Sequence, residues 1–190
     1  MSGAPDANSE LAALSQAADP GRGHRLAVTL LPALLVFLAV ILLVFYVLFS
    51  SAMVDGDSMY PTLHDRDYLL VTRGDTDLKR GDLVSIIANE PSGPIDIVKR
   101  VIGLPGDIVE VRDDVAIVNG QPEPQRGQII QPQFSVSVPP VTVPTGNIYV
   151  MGDNRAVSED SRYVGPLAVS GLKGRAVAIF APINRIRFLP

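Results

Sequence analysis

Cysteine is absent from this sequence, and histidine occurs only twice, at His24 and His64. Without cysteine there are no disulfides, thiolate metal sites or cysteine nucleophiles, so stability rests on packing alone and the redox compartment stays open. The two histidines lie on opposite sides of a long apolar run, which disfavours a histidine-rich zinc site; no zinc-ligand spacing or internal repeat occurs, and neither metal nor cofactor is expected. Charge of one sign is also scarce locally. The net charge of −4 is dispersed, with no block of five or more like charges, so nucleic acid is not an expected partner. With 190 residues, the chain has room for one compact domain and an anchor, not for two full cores.

What is present begins with a charge-free stretch of 29 residues, Leu26–Val54, dense in Leu, Val, Phe and Ala. At ~1.5 Å per helical residue it exceeds the roughly 30 Å hydrocarbon core, so a transmembrane helix over 26–54 is predicted. Pro32 falls in the first turns of that span, where a missing amide donor is tolerated. Two alternatives are a buried soluble helix and a cleaved signal peptide. The run is about twice the usual 7–15-residue apolar core of a signal peptide, and Ser50-Ser51-Ala52 is a weak cleavage site. Arg22 and Arg25 precede the span while Asp55 and Asp57 follow it. The positive-inside rule therefore puts the N-terminus in the cytoplasm and residues 55–190 on the outer face of the plasma membrane, crossed once. Residues 1–25 read as a cytoplasmic tail, disordered over 1–21, where there is little to bury.

Beyond the span, short Val- and Ile-rich runs separated by Gly, Pro, Asp and Asn every ten residues or so predict a mainly β domain. Strands are expected at Tyr68–Thr72, Leu83–Ala88, Ile95–Ile102, Ile108–Val111, Val115–Val118, Gly146–Met151 and Leu172–Phe180. Asp113-Asp114 should close a hairpin, and Asn119-Gly120 the next turn. Gln121–Pro144 contains six prolines and reads as an extended flap, because proline cannot donate to a central ladder.

Three stretches could carry chemistry. Ser58 follows Gly56 and precedes Pro61, a setting that taken alone describes an ordinary turn serine. A nucleophilic serine needs a base. Strand alternation puts Lys99 on one face with Ile95, Ile97 and Val101 and turns Arg100 to the other. Burial there disfavours the ammonium, so a neutral amine could take a proton from a hydroxyl, although a lone strand lysine also commonly snorkels to water. His64, in the polar turn His64-Asp65-Arg66-Asp67, lacks anything to orient it as a triad base and is placed at the surface. In the third stretch, Asp153, Arg155, Asp160 and Arg162 are expected to form alternating ion pairs that hold a loop, while the Ser158 hydroxyl could orient the lysine.

In this order behind a single N-terminal span, the stretches resemble the bacterial type I signal peptidases, a Ser/Lys protease family. The matching segments are Gly56–Leu63, Asp67–Val71, Arg80–Val84, Lys99–Asp107 and Gly152–Arg162, with a weaker match at Gly165-Pro166 and Gly174-Arg175. The resemblance implies a signal-peptidase-like β catalytic domain and a membrane-bound serine endopeptidase that removes signal peptides from exported preproteins after small residues (Ala-X-Ala). It implies Ser58 as nucleophile, Lys99 as general base, and Ser158 and Gly56 as catalytic support. Val54, Met59 and Val98 would line the substrate groove, and Asp153, Arg155, Asp160 and Arg162 would be structural. Partners would be signal peptides, the lipid bilayer and the Sec or Tat machinery that delivers substrates. Some members carry a serine where this chain has Gly56, which leaves a backbone amide beside that of Ser58 as the second oxyanion donor. Where the family commonly has Gly-Asp before a strand, this chain has Arg66-Asp67, so a positive φ there would strain Arg66. Three other readings share part of the pattern: a soluble self-cleaving repressor type of Ser/Lys protease, a peptidase dedicated to one substrate, and a catalytically dead tethered scaffold.

Overall fold

The computed structural model describes residues 20–74, 77–90, 93–123 and 129–189. Most of the expected tail and part of the expected flap therefore lie outside the described residues. Helix α1 spans Pro20–Leu48. Proline opens it at a position where the missing amide costs nothing. The helix starts earlier and stops earlier than the apolar run predicts: residues 20–25 are helical, Pro32 is interior, and Phe49–Met53 is strand β1. The reason for the early stop is register. All five residues Phe49–Met53 pair antiparallel with β2 (Tyr68–Thr72), a contact that hydropathy alone cannot reveal. Within α1, Leu30–Leu48 has a mean hydropathy of 3.0 and its apolar side chains are exposed, which fits a membrane-spanning helix.

The chain divides into two units, one ending at Tyr46 and one running from Val47 to Pro190. The second unit is mainly β and contains two antiparallel sheets. Its strands are β3 (Leu83–Glu90), β4 (Gly93–Gly103), β5 (Ile108–Arg112), β6 (Val115–Val118), β7 (Gln121–Pro122), β8 (Val138–Thr142), β9 (Asn147–Met151), β10 (Leu167–Ala168), β11 (Leu172–Ala181) and β12 (Arg187–Phe188). A one-turn helix α2 (Ser161–Val164) separates β9 from β10. The larger sheet runs β1-β2-β11-β3-β4-β9-β10 with β12 against β11; the smaller runs β7-β6-β5-β8.

Both short hairpins of the smaller sheet form at the expected dipeptides. Asp113 and Asp114 have φ of 48° and 63°, and Asn119 and Gly120 have 53° and 78°. Positive φ at both central residues matches the twist of the flanking strands, which is why Asp and Asn-Gly serve there. The expected flap is only partly a loop, since Val138–Thr142 is strand β8 with Pro139 and Pro140 inside it. Proline is tolerated because β8 is an edge strand, hydrogen-bonded on one side to β5.

Strand β4 sends its two faces into different cores. Val98 joins Val54, Met59, Leu63 and Leu83, whereas Val101, with Ile97 packed beside it, belongs with Val84, Ile86 and Val150. From Val98 to Gly103 both faces are buried, because β9 joins the strand from Arg100 onward. Before Arg100, β4 pairs with β3 alone. Its N-terminal half is therefore a free edge among the described residues.

Candidate active site

Ser58 lies in the turn between β1 and β2, five residues past the end of β1. Gly56 has φ +79° and would meet nothing within 4 Å if it carried a Cβ, so glycine is needed there for its backbone alone. Its amide donates to Asp65 Oδ1 at 2.9 Å and is thereby engaged. The amide of Ser58 has no acceptor among the described residues. Gly56 thus shapes the turn by its conformation, and the Ser58 amide is left as an open donor among the described residues.

Lys99 comes from the centre of the larger sheet. It sits opposite Val84 on β3, is only 4% exposed, and its Nζ donates to Ser58 Oγ at 2.7 Å. The two residues, 41 apart in sequence, are brought together because β4 lies beside the turn that carries Ser58. Ser58 is half-buried. His64 stays apart from this pair. It is half-buried, not fully at the surface, its ring stacks on Tyr60 at 5.0 Å between centroids, and its amide donates to Asp67 Oδ2.

The loop after β9 closes the site from the other side. The Asn154 amide donates to the Ser58 carbonyl at 3.0 Å, fixing the backbone that carries the hydroxyl. Ser158, 3% exposed, donates its Oγ to Asp160 Oδ2 at 2.7 Å. Gly152 lies between the two serines: a Cβ built on it would meet the Ser58 carbonyl oxygen and Ser158 Cβ at 2.5 Å each. No larger residue fits without moving one of them.

The four charges expected to pair along this loop do so only once. Arg162 Nε bonds Asp160 Oδ1 at 2.9 Å, but Asp153 pairs with Arg100 of β4 (2.7 and 2.5 Å), and Arg155 with Glu123 after β7 (2.7 Å). Arg162 also reaches Asp114 in the β5–β6 turn at 2.5 Å. Burial is the physical reason. All four side chains are at most 6% exposed, and a buried guanidinium needs several acceptors, more than neighbours along one loop can supply. Burial opposes the Arg162 charge, yet the bonds to Asp160 and Asp114 hold its guanidinium above the usual pKa. Strand β4 thus contributes twice: Lys99 meets the serine on one face, and Arg100 anchors the closing loop from the other.

Beside Ser58 and Lys99 lies a cleft of about 70 Å³ lined by Met53, Val54, Met59, Asp96, Ile97 and Val98, among others. All three residues expected in a substrate groove are in it. The geometry offers a hydroxyl nucleophile, a buried amine in hydrogen-bond contact with it, a free backbone donor and a small apolar recess.

The family model described as signal peptidase, peptidase S26, matches residues 27–181. The chain belongs to this family. Among curated relatives, signal peptidase I T of Bacillus subtilis (strain 168) is 38% identical over 167 residues, which is 82% of this chain and 86% of that protein. Signal peptidase I of Bacillus licheniformis is also 38% identical, over 82% of this chain and 89% of that one. A crystal structure of a signal peptidase I from Enterococcus faecalis V583 aligns with a TM-score of 0.44 at 28% identity, covering 53% of this chain and 97% of that one. The chain is a type I signal peptidase, a serine endopeptidase of the hydrolase class.

Several residues of this signal peptidase site are absent from the sequence-based expectation. The packing of Gly152 between two serines is a tertiary contact with no local signal. Asp96 and Ile97 also line the cleft, each within three positions of Lys99 on the same strand.

Proposed function

We propose that Ser58 and Lys99 form the catalytic dyad of this signal peptidase, a reading carried by the 2.7 Å contact between Lys99 Nζ and Ser58 Oγ in a buried setting. Burial favours the neutral amine, the form a general base requires. As Ser58 Oγ attacks the scissile carbonyl carbon, Lys99 takes its proton; Lys99 then returns that proton to the departing amine, leaving an acyl-ester on Ser58. A water gives its proton to Lys99 and attacks the ester, and the Ser58 hydroxyl is regenerated on release of the signal peptide. The free Ser58 amide donates to the oxyanion in both halves. Ser158 is a positioning residue, held by Asp160 against Gly152 on the far side of the Ser58 backbone.

The substrate binds as an extended strand along the free edge of β4, with the first and third residues before the cut facing Val54, Met59 and Val98. Those side chains leave a shallow recess, which suits alanine. Membrane anchorage by the apolar helix keeps enzyme and signal peptide on one surface and raises their effective concentration. The positive-inside pattern supports a cytoplasmic N-terminal tail and an extracytoplasmic peptidase domain, acting on preproteins delivered by Sec or Tat. Cleavage of an Ala-X-Ala preprotein by wild type, Ser58→Ala and Lys99→Ala tests the dyad, and full activity in either variant rejects it. Because the chain has no cysteine, single-cysteine variants at either end labelled with an impermeant maleimide read the orientation directly.

A further inference from the structure

A second cavity, of about 440 Å³, adjoins the catalytic cleft and shares Ile97 with it. Its apolar lining includes Ile87, Ala88 and Leu167, and its polar lining includes Glu159 and Asp160. Of this stretch of β4, only Ile97 borders the larger cavity, whereas Asp96, Ile97, Val98 and Lys99 all border the cleft. Val98 packs in the core with Val54 and Met59 beside the recess, whereas its neighbour Ile97, on the alternate face of the strand, also packs against the core that Leu167 covers. In a substrate strand paired to this edge, the same alternation applies. If the first and third residues before the cut enter the recess, the second residue faces Ile97 and the larger cavity.

The charge in that cavity is uneven. Both carboxylate oxygens of Asp160 are occupied, by Arg162, Ser158 and the amides of Gly152 and Arg162. Glu159 is exposed and has no hydrogen bond or ion pair among the described residues. It is the one carboxylate of the lining without a partner among the described residues.

Resting on the strand-like binding above, we infer that this cavity is the subsite for the residue two before the cut, and that Glu159 selects there for a basic side chain over an acidic one. The small-residue rule for the first and third positions leaves the second unconstrained in size, and a cavity of this volume admits any side chain. Specificity at that position is then electrostatic.

The test compares kcat/KM for three peptides that differ only in the middle residue, Ala-Lys-Ala, Ala-Gln-Ala and Ala-Glu-Ala, using full-length enzyme in detergent. For wild type the Lys peptide should exceed the Glu peptide by roughly three- to fivefold at low salt, the range of a solvent-accessible ion pair, and the ratio should shrink in high salt. It should fall to about one in Glu159→Gln and invert in Glu159→Lys. A ratio that is the same in all three enzymes overturns the subsite while leaving peptide cleavage intact. Failure of wild type to cleave any of the peptides would reject the proteolytic reading and the subsite together.

Discussion

Gly152→Ala should disable the enzyme without touching a reacting atom. The added methyl would lie 2.5 Å from the Ser58 carbonyl oxygen and 2.5 Å from Ser158 Cβ, about 0.9 Å inside the 3.4 Å at which ordinary contact begins. Neither neighbour can yield cheaply, because the Ser58 carbonyl is held by the Asn154 amide at 3.0 Å and Ser158 by Asp160 at 2.7 Å. The φ of Gly152 is not in the left-handed region, so the cost is steric and not conformational. Overpacking of this kind costs about 1–3 kcal/mol of stability. A displacement near 1 Å in a reacting group costs roughly 10²-fold in rate. The assay pairs kcat/KM on a preprotein with thermal unfolding. Gly103→Ala is the control: its methyl would crowd the Val109 side chain at 2.5 Å, in the separate core that Val109 forms with Val111, Ala116 and Tyr149, so stability should drop with kcat/KM retained in the folded fraction. Wild-type kcat/KM in Gly152→Ala would refute the idea that this contact fixes the two serines.

Three further changes test the physics of the fold. Arg66 holds φ +63° with its side chain exposed, so Arg66→Gly should raise stability by roughly 0.5–1 kcal/mol in denaturant titration. The Tyr149 hydroxyl is buried without a hydrogen-bond partner among the described residues, and burial, with the Asp160 charge, pushes its pKa up to about 12. Tyr149→Phe should therefore be neutral or stabilising by about 1 kcal/mol, read as the unfolding midpoint at pH 7. Arg80 beside Asp107 holds that carboxyl down to about 2 from 3.8, helped by the Leu104 amide and Asn119 against the effect of burial. A depressed folded pKa contributes stability that is complete above the unfolded value and lost as pH falls from about 4 to about 2. Asp107→Asn should remove about 1–2 kcal/mol at pH 7 and flatten that acid limb, the figure being moderated because Arg80 is 45% exposed.

Period-two patterning and turn dipeptides located the strands well, because both are local. The Asp113-Asp114 and Asn119-Gly120 turns need only their own φ values, and in the β3–β4 register Lys99 sits opposite Val84 and Ile97 opposite Ile86, in step with the period-two alternation. What stayed hidden was set by partners distant in sequence. The apolar run reads continuously through Val54, so only pairing with Tyr68–Thr72 ends the helix at Leu48. The Pro139-Pro140 strand survives because it is at an edge, a property of sheet order and not of composition. Asp153 finds Arg100, Arg155 finds Glu123 and Arg162 finds Asp114 across 53, 32 and 48 positions, and no spacing rule covers such pairs. At the site itself, Ser58 and Lys99 were each ordinary when viewed singly; their 2.7 Å contact supplies what neither segment contains.

The most direct test of the dyad is covalent. Full-length enzyme treated with a serine-directed acylating inhibitor and digested should show one adduct, on the peptide that contains Ser58, with the rate of labelling reduced by 10²-fold or more in Lys99→Ala. An adduct on another residue, or labelling of Ser58 at the same rate without Lys99, would contradict the proposal that the buried amine activates this hydroxyl.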